Sequence, residues 1–245
     1  MLAPDERRWW PWLPLLAAQG LYAKLRAGRP RAAREPQGRC GAGDASLRLA
    51  GLGDSIIAGI GVERHVDGLT GQVAARVAAS GLVVEWNAIG AAGATTRSVL
   101  DGLLPQVVGW EPDLVVLSLG VNDAVRGVAP AEFKSRLRGI VEAIAASPRR
   151  PAIVFAGIPP LDSFPALPRP LATLLGDRSR RLQQRAVDLT GHRGLKVVSF
   201  PPRIAPAAFA ADGFHPGPAG CATWAGWVAD GFALRVAASL DARGA

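Results

Sequence analysis

Five short runs of apolar residues, separated by stretches with helical periodicity, restrict the possible folds of this chain more than any other feature. The runs cover residues 47–52, 82–86, 114–119, 152–156 and 195–199, and they are rich in Val, Ile and Leu. Each has about the length of a β-strand, and continuous apolar runs of this length are typical of buried strands. We therefore expect five buried strands.

Helices are predicted between these runs. The clearest covers residues 130–147, where apolar residues recur at steps of three and four. Others are expected at residues 69–77, 95–108 and 218–240, and Pro105 should bend or end the second of them. Strands that alternate with helices form a parallel sheet with helices on both faces. The predicted fold class is therefore α/β, a three-layer α/β/α sandwich.

Length and composition limit the classes of function. The chain has 245 residues, 49% of them apolar, which is enough for one good-sized globular domain. Its two cysteines, Cys40 and Cys221, lie too far apart in sequence to form a metal-ligand pattern, so we expect no metal site. The net charge is +8, but residues 46–245 carry 20 basic and 16 acidic side chains. This balance does not indicate a nucleic-acid surface, and we expect no nucleic-acid partner.

The first 45 residues differ in composition from the rest. Residues 9–22 are apolar and hold three of the seven tryptophans, and an Arg-, Pro- and Gly-rich stretch follows. Three interpretations stay open: a short packed helix with a linker, a peripheral membrane contact through residues 9–26, or a cleaved secretion signal. The first two place the protein in the cytoplasm or peripherally at the membrane. We accordingly divide the chain into an N-terminal segment, residues 1–45, and a domain of residues 46–245.

Small and polar residues stand where the predicted strands end. Ser55 follows the first strand, Gly90 and Gly93 follow the second, and Asn122 follows the third. The carboxyl ends of parallel strands meet at one edge of the sheet, where ligands bind in such folds. The residues around Ser55 do not fit the glycine motifs of dinucleotide-binding loops, phosphate-binding loops or α/β-hydrolase nucleophile elbows.

A serine at this edge becomes a nucleophile only when a base takes its proton and donors hold the oxyanion that forms. His215 is the best candidate base among the three histidines. Asp212, three residues earlier, can turn back onto its ring and fix the tautomer. His192 lies in a predicted surface turn, and His65 lies in a polar loop that we expect at most to border a substrate site.

Four sequence blocks resemble, in order, those of the SGNH (GDSL-type) hydrolase family. They are Gly53-Asp54-Ser55, Gly93 within residues 90–95, Gly120-Val121-Asn122-Asp123, and Asp212 to His215. The similarity extends from about residue 47 to residue 232. It implies a flavodoxin-like parallel sheet of five strands with the order 2-1-3-4-5.

The resemblance also assigns roles to residues. Ser55 would be the nucleophile, His215 the general base and then acid, and Asp212 the residue that orients it. The oxyanion hole would consist of the backbone N–H groups of Ser55 and Gly93 and the side-chain amide of Asn122. The second block holds two glycines, so Gly90 is the alternative to Gly93 as the donor of a backbone N–H to the oxyanion.

The predicted function is that of a serine esterase, similar to lysophospholipases or arylesterases, that hydrolyses carboxylic esters through an acyl-enzyme on Ser55. The expected partner is a small-molecule acyl ester, and the mechanism needs no metal or organic cofactor. Two enzymatic alternatives use the same three residues: an acyltransferase and a carbohydrate O-deacetylase. The non-enzymatic alternative is a membrane-associated binding protein with an inactive site. The acyl and alcohol specificity and the oligomeric state are not predicted.

Overall fold

A six-stranded sheet forms the centre of the protein. The computed structural model describes residues 4–26 and 31–241. The strands are β1 (Gln37–Cys40), β2 (Ser46–Gly53), β3 (Val83–Gly90), β4 (Leu114–Ser118), β5 (Ala152–Phe155) and β6 (Lys196–Val197). Their order across the sheet is β1-β3-β2-β4-β5-β6. Strands β2 to β6 pair in parallel, whereas β1 runs antiparallel to β3.

The parallel part of the sheet confirms the predicted fold class and strand order, since β2 to β6 correspond to the five apolar runs. Strand β1 was not predicted and lies within the segment of residues 1–45. It is a short edge strand, Gln-Gly-Arg-Cys, without an apolar run that periodicity can detect. Gly38 allows it to lie against the ring of Trp86, where a Cβ would approach to 2.4 Å.

Helices cover both faces of the sheet. They are α1 (Leu13–Arg26), α2 (Leu69–Ala78), α3 (Thr96–Ser98), α4 (Leu104–Trp110), α5 (Val121–Arg126), α6 (Pro130–Ala145), α7 (Leu171–Val187), α8 (Pro218–Asp230) and α9 (Ala233–Asp241). A π-helical turn, Val99–Leu103, joins α3 to α4 and ends just before Pro105. The helix predicted at residues 218–240 is divided into α8 and α9 around Gly231.

The core consists of two apolar layers separated by the sheet. Helices α4, α6 and α7 pack on one face, where Phe133 and Leu137 are fully buried. Helices α2 and α8 pack on the other, with Val73 and Val228 at the centre. Every residue of the central strand β4 is buried, as its continuous apolar sequence predicts.

The described part of the N-terminal segment packs against α7. Glu6 accepts two hydrogen bonds from the guanidinium of Arg178, at 2.7 and 2.8 Å, and both side chains are largely buried. Farther along, the Gln19 side chain donates to the carbonyl of Arg169 and accepts from the backbone N–H of Leu171. Among the described residues, no helix is long and apolar enough to cross a membrane.

Candidate active site

Ser55 lies at the carboxyl end of β2, in a tight turn that begins at Gly53. A Cβ on Gly53 would stand 2.0 Å from the carbonyl oxygen of Ser118 on β4, so only glycine lets the two strands approach here. The Ser55 carbonyl accepts a hydrogen bond from the N–H of Ile60 at 2.9 Å, which closes the turn. The turn leaves the side chain of Ser55 half-buried at the edge of the sheet.

Three side chains that the sequence predicts to act together form a continuous chain of hydrogen bonds. Asp212 Oδ2 lies 2.6 Å from His215 Nδ1, and His215 Nε2 lies 3.1 Å from Ser55 Oγ. An ionised carboxylate can only accept, so His215 Nδ1 carries the proton and Nε2 is left to accept from the Ser55 hydroxyl. This tautomer is the one that a general base requires.

The loop geometry explains the spacing of three residues between Asp212 and His215. Asp212 Oδ1 accepts the backbone N–H groups of Phe214 and His215, at 2.9 and 3.0 Å, while Oδ2 contacts the imidazole. Burial of the carboxyl acts to raise its pKa, but the hydrogen bonds from the His215 side chain and the two N–H groups outweigh burial. The pKa of Asp212 is lowered to about 2, so the residue is ionised at neutral pH.

The candidate oxyanion donors differ in where the structure places them. Gly93 has a φ of +76° and lines a cavity together with Ser55 and Asn122. Gly90 lines a different cavity, and a Cβ there would stand 2.5 Å from the N atom of Ala58, beneath the turn that carries Ser55. Gly93 therefore shares a cavity with Ser55, whereas Gly90 packs against the backbone of the turn that carries Ser55. The Asn122 amide reaches the same cavity and donates one hydrogen bond, of 3.0 Å, to the carbonyl of Ala94.

Two buried aspartates hold the loops around Ser55 in place. Asp123 accepts hydrogen bonds from the backbone N–H of Thr96, at 3.1 Å, and from its hydroxyl, at 2.6 Å, which ties α5 to the start of α3. Asp54 Oδ1 accepts the N–H of Ile56 at 3.0 Å. Burial raises the pKa of both carboxyls, that of Asp54 to about 7. These contacts set the position of Asn122 relative to Gly93 and the orientation of the turn at Ser55.

Two apolar cavities meet at Ser55, and Phe214 and His215 line both of them. The first, which we name the aromatic cavity, has a volume of about 260 Å³. Its walls are formed mainly by Phe164, Phe200, Phe209, Phe214, Trp224 and Trp227. The second, the leucine cavity, has a volume of about 460 Å³. It lies under α1 and is lined by Gly20, Ala23, Leu167, Leu171, Leu174 and Leu175, among others.

Part of these walls is not predicted by the sequence patterns. Gly20 and Ala23 come from α1, and their place at the site depends on the packing of α1 against α7. Phe200 and Phe209 lie in irregular segments between β6 and α8, where periodicity carries no information. The recurrence of Trp224 and Trp227 at a step of three was the available signal, since it predicts an inward-facing helical stripe.

The other two histidines lie elsewhere. His65 Nδ1 is 3.0 Å from the carbonyl oxygen of Arg34, and its ring packs near Trp86. In the described part of the chain, neither cavity has His65 in its lining. His192 lies at the surface, where its Nε2 is 3.0 Å from a carboxylate oxygen of Glu142.

Comparisons with known proteins place the chain in a family. A protein-family model described as the GDSL-like lipase/acylhydrolase family matches residues 52–236. The solved structure of TesA is similar, with 23% identity, a TM-score of 0.60, and coverage of 76% of this chain and 97% of that chain. A lipase/acylhydrolase from Enterococcus faecalis shows 24% identity, a TM-score of 0.59, and coverage of 77% and 96%.

Axe2, an acetylxylan esterase from Geobacillus stearothermophilus, shows 19% identity, a TM-score of 0.51, and coverage of 80% of this chain and 95% of that chain. At these identities the three structures establish a shared fold. No curated protein matches the sequence significantly. Because the family model spans well over half of the chain, the protein is a member of the GDSL-like lipase/acylhydrolase family and a hydrolase that acts on ester bonds.

Proposed function

We propose that Ser55 attacks the carbonyl carbon of a carboxylic ester and forms an acyl-enzyme, which water then hydrolyses. The observation that supports this proposal is the continuous hydrogen-bond chain from Asp212 through His215 to Ser55 Oγ. A nucleophile within hydrogen-bond distance of a base that a third group orients is the arrangement that activates serine.

The reaction has two halves. His215 Nε2 accepts the Ser55 proton as Oγ bonds to the carbonyl carbon, and the tetrahedral intermediate then collapses. The alkoxide leaves with the proton from His215, and the acyl group remains on Ser55. Water, deprotonated by His215, attacks the acyl carbon, and Ser55 Oγ leaves and recovers its proton as the acid is released.

Three donors would stabilise the oxyanion of each tetrahedral intermediate. They are the backbone N–H groups of Ser55 and Gly93 and the side-chain amide of Asn122. An amide nitrogen carries two N–H groups. One of those on Asn122 donates to the Ala94 carbonyl and fixes the side chain, and the second donates to the oxyanion. A donor held in place before the reaction is more effective than one that must reorganise.

The lining of the cavities favours lipophilic esters, of the kind that lysophospholipases and arylesterases hydrolyse. Six aromatic rings surround the aromatic cavity, and Phe200 lies edge-on to Trp224 and Trp227, with centroids 4.7 and 5.6 Å away. Such walls suit an alkyl chain or an aryl group. A carbohydrate deacetylase needs polar side chains that bind sugar hydroxyls, and the leucine-rich and aromatic walls offer few of them.

The chemical step is tested by labelling and mutation together. The purified protein is treated with a fluorophosphonate probe, and the labelled peptide is identified by mass spectrometry. We expect label on Ser55 and a decrease of ~10⁴-fold or more in kcat for p-nitrophenyl butyrate in both Ser55→Ala and His215→Ala. If Ser55→Ala retained the hydrolysis rate of the wild type, the proposed mechanism would be wrong.

Substrate class is tested with p-nitrophenyl esters from acetate to palmitate, with lysophosphatidylcholine, and with acetylated xylose. We expect kcat/KM to rise from acetate to medium acyl chains and to be low for the sugar acetate. A preference for the sugar acetate would favour the deacetylase alternative. Transfer of the acyl group to an added alcohol in preference to water would identify an acyltransferase.

A further inference from the structure

The outer face of helix α1 is apolar instead of charged. Leu16, Gln19, Gly20 and Ala23 recur at steps of three and four and face the domain. Seven of the twelve large apolar side chains that are exposed in the described residues lie between residues 10 and 25. We name six of them the N-terminal apolar surface: Trp10, Trp12, Leu13, Leu15, Leu21 and Leu25, of which Leu25 is 72% exposed. Exposed apolar side chains grouped in this way mark an interaction surface.

The charge of the same segment is one-sided. The sequence contains no acidic residue between Glu6 and Glu35, whereas seven basic residues lie in that interval, of which Arg8 and Arg34 pair with Asp177 and Glu63 of the domain. The guanidinium carbon of Arg7 lies 5.9 Å from the centre of the Trp10 ring. Tryptophan rings and basic side chains beside apolar ones are the composition of helices that bind anionic lipid surfaces, where rings and charges reach the headgroups.

The inner face of α1 is a wall of the active site. Gly20 and Ala23 line the leucine cavity, which reaches Ser55. The segment is held there by the Glu6–Arg178 ion pair, and Arg178 also donates to the carbonyl of Ala124 on the helix that carries Asn122. Helix α1 has 14 residues, fewer than the ~20 that span a bilayer, so on a membrane it would lie flat.

We propose that the N-terminal apolar surface docks on an anionic lipid surface and holds the leucine cavity against the bilayer. Amphiphilic esters then reach Ser55 from the lipid phase through this cavity. The docking depends only on the surface of α1 and the turn before it. The delivery of substrate rests, in addition, on the proposed esterase function.

Vesicle binding by the full chain tests the docking. Phosphatidylcholine vesicles are compared with vesicles that contain about one third phosphatidylglycerol. We expect cosedimentation with the anionic vesicles, weakened by added salt, and a decrease of about tenfold or more in partitioning for Trp10→Ser/Trp12→Ser/Leu25→Ser. Leu234→Ser is the matched control, since Leu234 is 80% exposed on α9, and α9 packs in the opposite core layer. This control should bind like the wild type.

Two further measurements separate docking from folding and catalysis. The triple variant should keep the thermal midpoint of the wild type and its rate on a soluble short-chain ester, and should lose most of its activity on a long-chain ester embedded in anionic vesicles. Equal binding of wild type and triple variant to both vesicle types would overturn the proposal. So would a wild-type dimer that the triple variant converts to monomer, since a second copy would then cover the surface. If no ester is hydrolysed but vesicle binding follows the expected pattern, the esterase proposal fails and the docking stands.

Discussion

Replacement of Asp54 by Asn tests whether burial of this carboxyl raises its pKa and so makes the stability of the protein depend on pH. Asp54 is 1% exposed, and its burial raises the pKa from an ordinary 3.8 to about 7. The folded state favours the neutral carboxyl of Asp54. The contribution of this preference to the free energy of unfolding is therefore fully present below about pH 4 and is lost as the pH rises through 7. Asparagine is always neutral and keeps an Oδ1 acceptor for the N–H of Ile56. We therefore expect Asp54→Asn to gain stability relative to the wild type as the pH rises.

The magnitude follows from the two pKa values. At about 1.4 kcal/mol per pKa unit, the ionisable side chain lowers the free energy of unfolding by about 2 kcal/mol at pH 5 and about 4 kcal/mol at pH 8, relative to a neutral one. The difference between Asp54→Asn and wild type should therefore increase by about 2 to 3 kcal/mol from pH 5 to pH 8.

Urea denaturation of both proteins at the two pH values measures this change, and taking the difference removes the contribution of titrating groups that do not interact with Asp54. Asp44→Asn is the matched control, because Asp44 is exposed and its replacement should change stability by less than about 0.5 kcal/mol at either pH. If the difference in the free energy of unfolding between Asp54→Asn and wild type were the same at both pH values, the raised pKa of Asp54 would be refuted.

Three other replacements test the candidate site. Asp212→Asn should lower kcat by ~10⁴-fold in steady-state assays. Because the pKa of Asp212 is lowered to about 2, the free energy of unfolding of the wild type should exceed that of Asp212→Asn by about 2 kcal/mol above pH 4. This difference should disappear as the pH falls through 2, and a difference that did not change with pH would contradict the lowered pKa. Asn122→Ala should lower kcat by ~10²-fold to 10³-fold with little change in KM, and an effect on KM alone would assign Asn122 to substrate binding. Trp227→Ala should open the aromatic cavity and raise the kcat/KM ratio of long to short acyl esters by about tenfold, whereas an unchanged ratio would place the acyl chain in the leucine cavity.

Two features of the candidate site are predictable from the sequence for physical reasons: the sheet edge where it lies and the contact between Asp212 and His215. Parallel strands bring their carboxyl ends to one edge of the sheet, which places Ser55 after β2 and Asn122 after β4 at that edge. The strand order that makes the two strands neighbours is implied by the family resemblance. A spacing of three residues lets Asp212 accept from the backbone of its own loop and still contact the imidazole. Both arguments are local or topological, whereas the contact between His215 and Ser55, 160 positions apart, depends on how the loop before α8 folds back.

The walls of the two cavities could not be predicted in the same way. Glu6 and Arg178 are 172 positions apart, and nothing in the local pattern of either segment indicates that α1 packs on α7. Strand β1 has four residues and alternates exposed with half-buried positions, too few for a periodicity to stand out. Gly90 and Gly93 have the same chemistry, and only the backbone positions decide which of them faces Ser55.

The unequal cavities have a consequence for stereochemistry. In the proposed mechanism the oxyanion donors hold the carbonyl oxygen, and cavities of about 260 and 460 Å³ receive the remaining two substituents. The carbonyl carbon then presents one face to Ser55 Oγ. An ester with a stereocentre next to the carbonyl meets an asymmetric enclosure, in which its two enantiomers place different groups against the aromatic and leucine walls. We expect the protein to hydrolyse one enantiomer of a racemic ester faster and so to act as a resolving catalyst.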